Sequence, residues 1–167
     1  MTVLETKRLR LSQLSVDQAP FILELLNTPS WLAYIGDRGV RTLDDARNYL
    51  LNGPIASYNR FGFGLYLVTL IDTDVPIGLC GLLQRETLDH PDIGFAFLPD
   101  YMHKGYGFEA ASAVMTYART TLGVGGIMAI TVTHNENSIK LLKKLGFHFE
   151  RLITFAPGTE ELMLFVN

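Results

Sequence analysis

Apolar residues recur at two spacings along this chain, and the change from one to the other marks out its elements. Arg8-Leu9-Arg10-Leu11 alternates polar and apolar, the two-residue period of a half-buried strand. Ala19, Ile22, Leu25 and Leu26 then share one face at helical spacing, which predicts a helix over 18–27. Ser15 and Asp17 both suit its N-cap, and Pro20, tolerated only in a first turn, favours Asp17. Thr42 with Asp45 resembles a capping box opening a second helix, with Leu43, Ala46, Tyr49 and Leu50 on its apolar face and Gly53-Pro54 as its end.

From Phe63 the period shortens. Residues 65–71 and 77–83 read as two strands of a hairpin around Asp72-Thr-Asp-Val-Pro76. A further strand covers 93–98 and stops at Pro99. Phe108, Ala111, Val114, Met115, Ala118 and Leu122 then mark a long helix, and 127–132 is a short strand of the buried kind. A helix over 137–145, stopped by Gly146, and two strands over 147–155 and 161–166 complete the chain. The pattern is an α/β (α+β) fold with a mixed, mainly antiparallel seven-stranded sheet and about four helices. The long helix between the fourth and fifth strands requires a crossover, so those two should be parallel neighbours.

With 167 residues and 48% hydrophobic content, one domain over 1–167 has enough apolar material for a full core. A net charge of −3 gives no electrostatic case for nucleic acid or an anionic membrane, and slightly favours a neutral or cationic partner. The single cysteine cannot form an internal disulfide, and no leader or spanning stretch is evident, so a cytoplasmic location is expected. His90, His103, His134 and His148 lack metal-ligand spacing, so no metal is expected, and Cys80 reads as core.

The chemistry concentrates where the strand at 93–98 gives way to the long helix, in Met102-His-Lys-Gly-Tyr-Gly-Phe-Glu-Ala110. A helix's first amides have no internal partner and its dipole there favours negative charge. Gly105 and Gly107 remove side chains that would hold a phosphate away, and Lys104 adds a positive charge, so the segment reads as a pyrophosphate cradle. The plain alternative is a turn that merely needs glycine. The segment also fits G-x-G-x-x-A, but it follows a hairpin and the next strand ends in Val132-Thr-His134, without the ribose-binding acid of a dinucleotide fold.

Ile93-Gly-Phe-Ala-Phe-Leu-Pro99, Lys104-Gly-Tyr-Gly-Phe-Glu-Ala110, Asn135-Glu-Asn-Ser138 and Leu142-Lys-Lys-Leu-Gly-Phe147 together resemble the GNAT acetyltransferase superfamily. Glu5-Thr-Lys-Arg-Leu-Arg-Leu11 and Ile77-Gly-Leu-Cys-Gly-Leu82 resemble its RimJ/RimL-type branch. The resemblance implies a sheet splayed between strands 4 and 5 and acetyl-CoA as acetyl donor. Pantetheine would lie in the splay against backbone near Phe97 and Leu98, and pyrophosphate on amides of His103, Lys104, Gly105, Tyr106, Gly107 and Phe108. Asn135 would hold the pantetheine arm or orient a water, and Ser138 would serve the leaving thiolate. Two positions depart from the family's pattern: Met102 replaces the first polar residue of the phosphate motif, and Leu142 the proton-donating tyrosine.

For the base, Glu86 and Asp92 flank the loop into the fourth strand, while Glu160 and Glu161 sit in the last hairpin. An α-amine of pKa near 8 costs only about 1.4 kcal/mol to deprotonate at pH 7, against roughly 4.6 for lysine. The expected activity is therefore acetyl transfer to a primary amine by direct attack in a ternary complex, with a protein N-terminus favoured. A small amine (amino sugar, polyamine, antibiotic) and a non-catalytic CoA-binding module are the alternatives, and either a monomer or a homodimer fits. Trp31, Tyr34, Phe61 and Phe63 are candidate walls of an acceptor pocket or core residues.

Overall fold

Leu9–Leu11 of the alternating stretch falls in a strand as expected, and a further strand precedes it. In the computed structural model, which describes residues 1–167, β1 (Thr2–Glu5) pairs antiparallel with β2 (Leu9–Gln13). Four helices follow: α1 (Ala19–Leu25), α2 (Pro29–Tyr34), α3 (Leu43–Leu50) and α4 (Ala56–Phe61). Then come β3 (Leu65–Leu70), β4 (Pro76–Leu83), β5 (Asp92–Phe97), α5 (Tyr106–Thr120), β6 (Met128–Val132), α6 (Glu136–Lys144), β7 (His148–Ile153) and β8 (Leu162–Val166). All eight strands join one sheet in the order β1-β2-β3-β4-β5-β6-β8-β7. Every pairing is antiparallel except that of β5 with β6, the parallel pair expected from the crossover. The sheet has one strand more than the pattern predicted, because Thr2-Val-Leu-Glu5 is too short to show a period and forms only by pairing with β2.

Two helix expectations are corrected. Asp17 does not cap α1, which starts after Gln18 with no side-chain cap; Ser15 caps the turn before it, its hydroxyl accepting from the Asp17 amide at 3.2 Å and the Gln18 side chain accepting from the Ser15 amide at 2.7 Å. A 3-10 turn, Val16–Gln18, precedes α1, so Pro20 still falls in the first turn of the α-helix. Gly53-Pro54 does not end the second helix. A π-helical turn, Leu51–Ile55, takes up the proline, and α4 runs on until Gly62 at φ +80°. The short α2, capped by the Thr28 hydroxyl with Pro29 at its start, has end signals but too few turns for a period.

Both faces of the central strands are covered. Leu65 and Leu67 of β3 pack beneath α1 and α3 with Leu25, Ala46 and Leu50, while Tyr66 and Val68 face Ala111 and Val114 of α5. Double burial explains why β3 and β4 read as nearly continuous apolar runs. The small residues Ala110, Ala111 and Ala118 of α5 are fully buried, letting its axis lie close to the sheet and setting its N-terminus beside the end of β5. No helix is long and apolar enough to cross a membrane.

Candidate active site

β5 and β6 pair at a single position, Asp92 with Met128, where the Met128 amide donates to the Pro91 carbonyl at 2.9 Å. Beyond it they separate, and a cleft of about 1300 Å³ opens between them. The Leu98 amide donates to Ile77 O at 2.8 Å, so alternation turns Gly94, Ala96 and Leu98 toward β4 and Phe95 and Phe97 toward the opening. The sequence expectation is thereby corrected at one residue. Leu98 also gives its carbonyl to the Tyr101 amide and does not line the cleft, leaving Phe97 and Phe95 as the free strand edge.

At the end of β5 the chain enters α5 through His103, at φ +60°, and Gly105, at φ +84°. Gly105 is the N-cap and supplies no side chain to it. The amides of His103, Lys104, Gly105, Tyr106, Gly107 and Phe108 find no acceptor within the chain. Six consecutive donors at a helix N-terminus can surround an anion. A Cβ on Gly107 would lie 3.1 Å from Leu141 Cδ2 and 3.6 Å from Phe97 Cε2, a tight fit that the Leu141 side chain would have to yield to, and glycine leaves the backbone there uncovered. Lys104 contributes differently than expected: it does not line the cleft, and neither does the Tyr106 ring. The ammonium that does is that of Lys144, which stands 4.3 Å over the Phe108 ring. Met102 lines the cleft and packs on the core, so the residue that departs from the family's motif serves as apolar wall.

Sequence reasoning missed the clamp behind this junction. Glu109 Oε2 accepts from the Thr6 hydroxyl at 2.5 Å and the Arg8 amide at 3.0 Å, and Oε1 accepts from Arg8 Nε at 2.7 Å. Arg8 also donates to the Lys104 carbonyl at 3.1 Å, and its guanidinium lies 4.3 Å from the centre of the Tyr106 ring. Burial opposes ionisation of Glu109, but the Thr6 and Arg8 donors outweigh it and hold the carboxyl below its ordinary range. Arg8 thus cancels a negative charge that would otherwise repel an anion at the same helix end. The only sequence trace of this contact is the Glu5-Thr-Lys-Arg8 run, about a hundred residues away.

Asn135 is the N-cap of α6 and accepts from the Ser138 amide at 3.3 Å. Both residues line the cleft, and the Ser138 hydroxyl has no partner in the chain. Leu142, one turn on, is buried and has no proton to give. The acids divide clearly. Asp92 lines the floor of the cleft, 1% exposed, with Arg85 Nε 3.0 Å from its Oδ1. Burial pushes its pKa up to about 6, and Arg85 holds it from rising further. Glu86 is exposed and lies outside the cleft, as does Glu161; Glu160 lines the rim near His134. Burial pushes the Cys80 thiol up, which suits a core residue. No three His, Cys, Asp or Glu side chains converge to hold a metal ion.

A half-open sheet thus carries an unpaired strand edge leading to a run of free amides at a helix start. The model of the acetyltransferase (GNAT) domain matches residues 8–148, and the chain belongs to this family of acetyltransferases. It is 27% identical over 154 residues to the uncharacterized N-acetyltransferase YoaA of Bacillus subtilis, covering 90% of this chain and 85% of the relative. Among solved structures, a GNAT-family acetyltransferase from Bacillus anthracis superposes with a TM-score of 0.82 at 23% identity, covering 100% and 98% of the two chains. RimL, a ribosomal L7/L12 α-N-protein acetyltransferase in complex with coenzyme A, superposes with a TM-score of 0.81 at 14% identity over 100% and 97%.

Proposed function

We propose that this acetyltransferase takes its acetyl group from acetyl-CoA and passes it to a primary amine, with a protein N-terminal α-amine favoured, by direct attack in a ternary complex. The observation that carries the reading is the six unpaired amides from His103 to Phe108 at the start of α5. They suit a pyrophosphate. The free edge of Phe95 and Phe97 suits an amide-bearing pantetheine, which would continue the sheet as an extra strand.

In this reading the amine lone pair attacks the thioester carbonyl, a C–N bond forms and the C–S bond breaks. The Phe95 amide, farther from the cradle along the same edge and nearer Asp92, faces the developing oxyanion, while Phe97 and the Phe95 carbonyl hold the pantetheine. The Ser138 hydroxyl, uncommitted within the chain, hydrogen-bonds the departing sulfur, and Asn135 fixes Ser138 through its amide. Asp92 receives the proton from the amine, directly or through water. A carboxylate with a pKa of about 6 takes a proton from an α-ammonium of pKa near 8 at a cost of roughly 3 kcal/mol, against about 6 for a lysine. Glu86 has no part in this scheme, because it does not reach the cleft.

The test is an acetyl-CoA-dependent mass increase in a mixture of N-terminal peptides, lysine peptides and small amines. The expected result is 42 Da, roughly the mass of an added acetyl group, on α-amines, with one free thiol released per event. Tight CoA binding with no thiol release across the panel would replace the enzyme with a binding module. Lysine side chains acetylated as fast as any N-terminus would remove the α-amine preference.

A further inference from the structure

The chain carries nine arginines, and seven of them donate to a side-chain oxygen: Arg8, Arg10, Arg41, Arg47, Arg85, Arg119 and Arg151. Arg38 and Arg60 have no such partner, and both line the cleft. Arg38 lies in the loop between α2 and α3 and Arg60 on α4, both exposed and on segments separate from α5 and α6, whose starts bear free amides and Ser138. The charge of Arg38 is felt at the Tyr49 phenol, whose pKa burial raises and Arg38 holds back. The Trp31 indole N–H in the same cleft is buried without an acceptor. The only carboxylates lining the cleft are Asp92, already paired with Arg85, and Glu160 at the rim. A chain with a net charge of −3 thus presents two unpaired, exposed arginines along its cleft.

We infer that the acceptor is an amine that also carries a carboxylate, held by Arg38 and Arg60 while its nitrogen faces the opening between β5 and β6. The inference rests on the acetyltransferase reading above and adds the charge class of its substrate. A guanidinium is a planar, permanently charged donor fork that matches a carboxylate, and an unpaired one at a cleft wall selects anions over cations. Two sources supply this chemistry, an N-terminal peptide with acidic side chains just after its amine and a free amino acid.

The experiment measures kcat/KM by thiol release at saturating acetyl-CoA. Peptides identical except at positions two and three carry Asp-Glu, Asn-Gln or Lys-Lys there, and free glutamate is compared with its amide. The acidic member of one series should exceed its neutral counterpart by roughly tenfold or more, and the basic peptide should be poorest. The series in which this holds identifies the source. Each of R38Q and R60Q should lower the acidic-to-neutral ratio by about fivefold, the upper end for solvent-accessible ion pairs. R60E should favour the basic peptide, and 0.5 M salt should compress all the ratios. CoA affinity, titrated calorimetrically, should stay within about twofold, because these arginines lie apart from the amides at the start of α5. Equal rates for acidic and neutral members overturn the inference and leave the acetyltransferase intact. Loss of CoA binding in R38Q or R60Q reassigns these arginines to the donor and overturns it too. No thiol release in any arm removes the acetyltransferase reading and this inference with it.

Discussion

Glu109→Ala removes the carboxylate that ties the β1–β2 turn to the start of α5, and its consequence can be worked from three contacts. The Thr6 hydroxyl, the Arg8 amide and Arg8 Nε all lose their acceptor. A hydrogen bond to a charged group contributes about 1.5–3 kcal/mol where water is excluded, and much less where it is not. The Arg8 side chain is 42% exposed and that of Glu109 20%, so a total of about 2–3 kcal/mol is expected. For a chain of this length that lowers Tm by roughly 5–10 °C. The functional effect comes through Arg8: freed from Glu109, it no longer holds the Lys104 carbonyl, and the neighbouring amides lose their common orientation. If the binding-competent loop falls to about a tenth of the population, apparent CoA affinity falls about tenfold. Glu109→Gln keeps part of the acceptor capacity and should give about half of each effect. Calorimetric titration of CoA and a thermal melt on the same samples decide it. A variant that melts early yet binds CoA within twofold of the parent would show that the clamp supports the fold without shaping the cradle.

Asp92→Asn tests the buried acid. Its folded pKa of about 6 lies above the unfolded value of 3.8, so the folded chain binds the extra proton between them. Stability from this group therefore rises as pH falls from about 6 toward 4 and is lost as pH climbs through 6, by up to about 3 kcal/mol. The asparagine variant should lose that slope in pH-dependent denaturant melts, and the acidic limb of kcat/KM near pH 6 should vanish with it; a limb that persists excludes Asp92 as the base. Ser138→Ala should lower kcat at least tenfold while CoA affinity changes less than about twofold. Unchanged turnover removes Ser138 from the reaction. Gly81→Ala tests the β3–β4 contact beneath the cleft: its Cβ would overlap the Gly64 carbonyl oxygen and stand 2.8 Å from Leu65 Cα. Because backbone must move, a loss of about 2–3 kcal/mol is expected in urea melts, and a loss below 0.5 would show that β4 is slack.

Much of this protein was legible along the chain because the signals are local. Hydrophobic period located β3 to β6 and both helices of the second half, and the need for a crossover required β5 and β6 to be parallel, as they are. Glycine spacing at 105 and 107 marked the cradle, because a helix N-terminus leaves its amides free whatever surrounds it. Where the reading failed, a neighbour in space decided. Gly53-Pro54 became a π turn within a longer helical run. Leu98 gave its amide to Ile77, which handed the open strand edge to Phe95 and Phe97.

Charge shows the division most clearly. Composition reports a net −3 and a bias, if any, toward cations; the fold gives seven arginines a side-chain partner, Arg85 within the cleft among them, and leaves Arg38 and Arg60 lining the cleft without one. Likewise Glu86 and Asp92 are equivalent acids in the sequence, and only burial beside Arg85 separates a solvated side chain from one with a pKa of about 6. The Arg8–Glu109 clamp joins positions 101 apart, beyond the reach of any period or motif. By itself the sequence determined the elements, the parallel crossover and the helix start offered to an anion, since each follows from interactions within a few residues. Only the tertiary structure decided which acid is desolvated, which strand edge is free and which arginines stay unpaired, because desolvation and pairing depend on what the rest of the chain brings within a few ångströms.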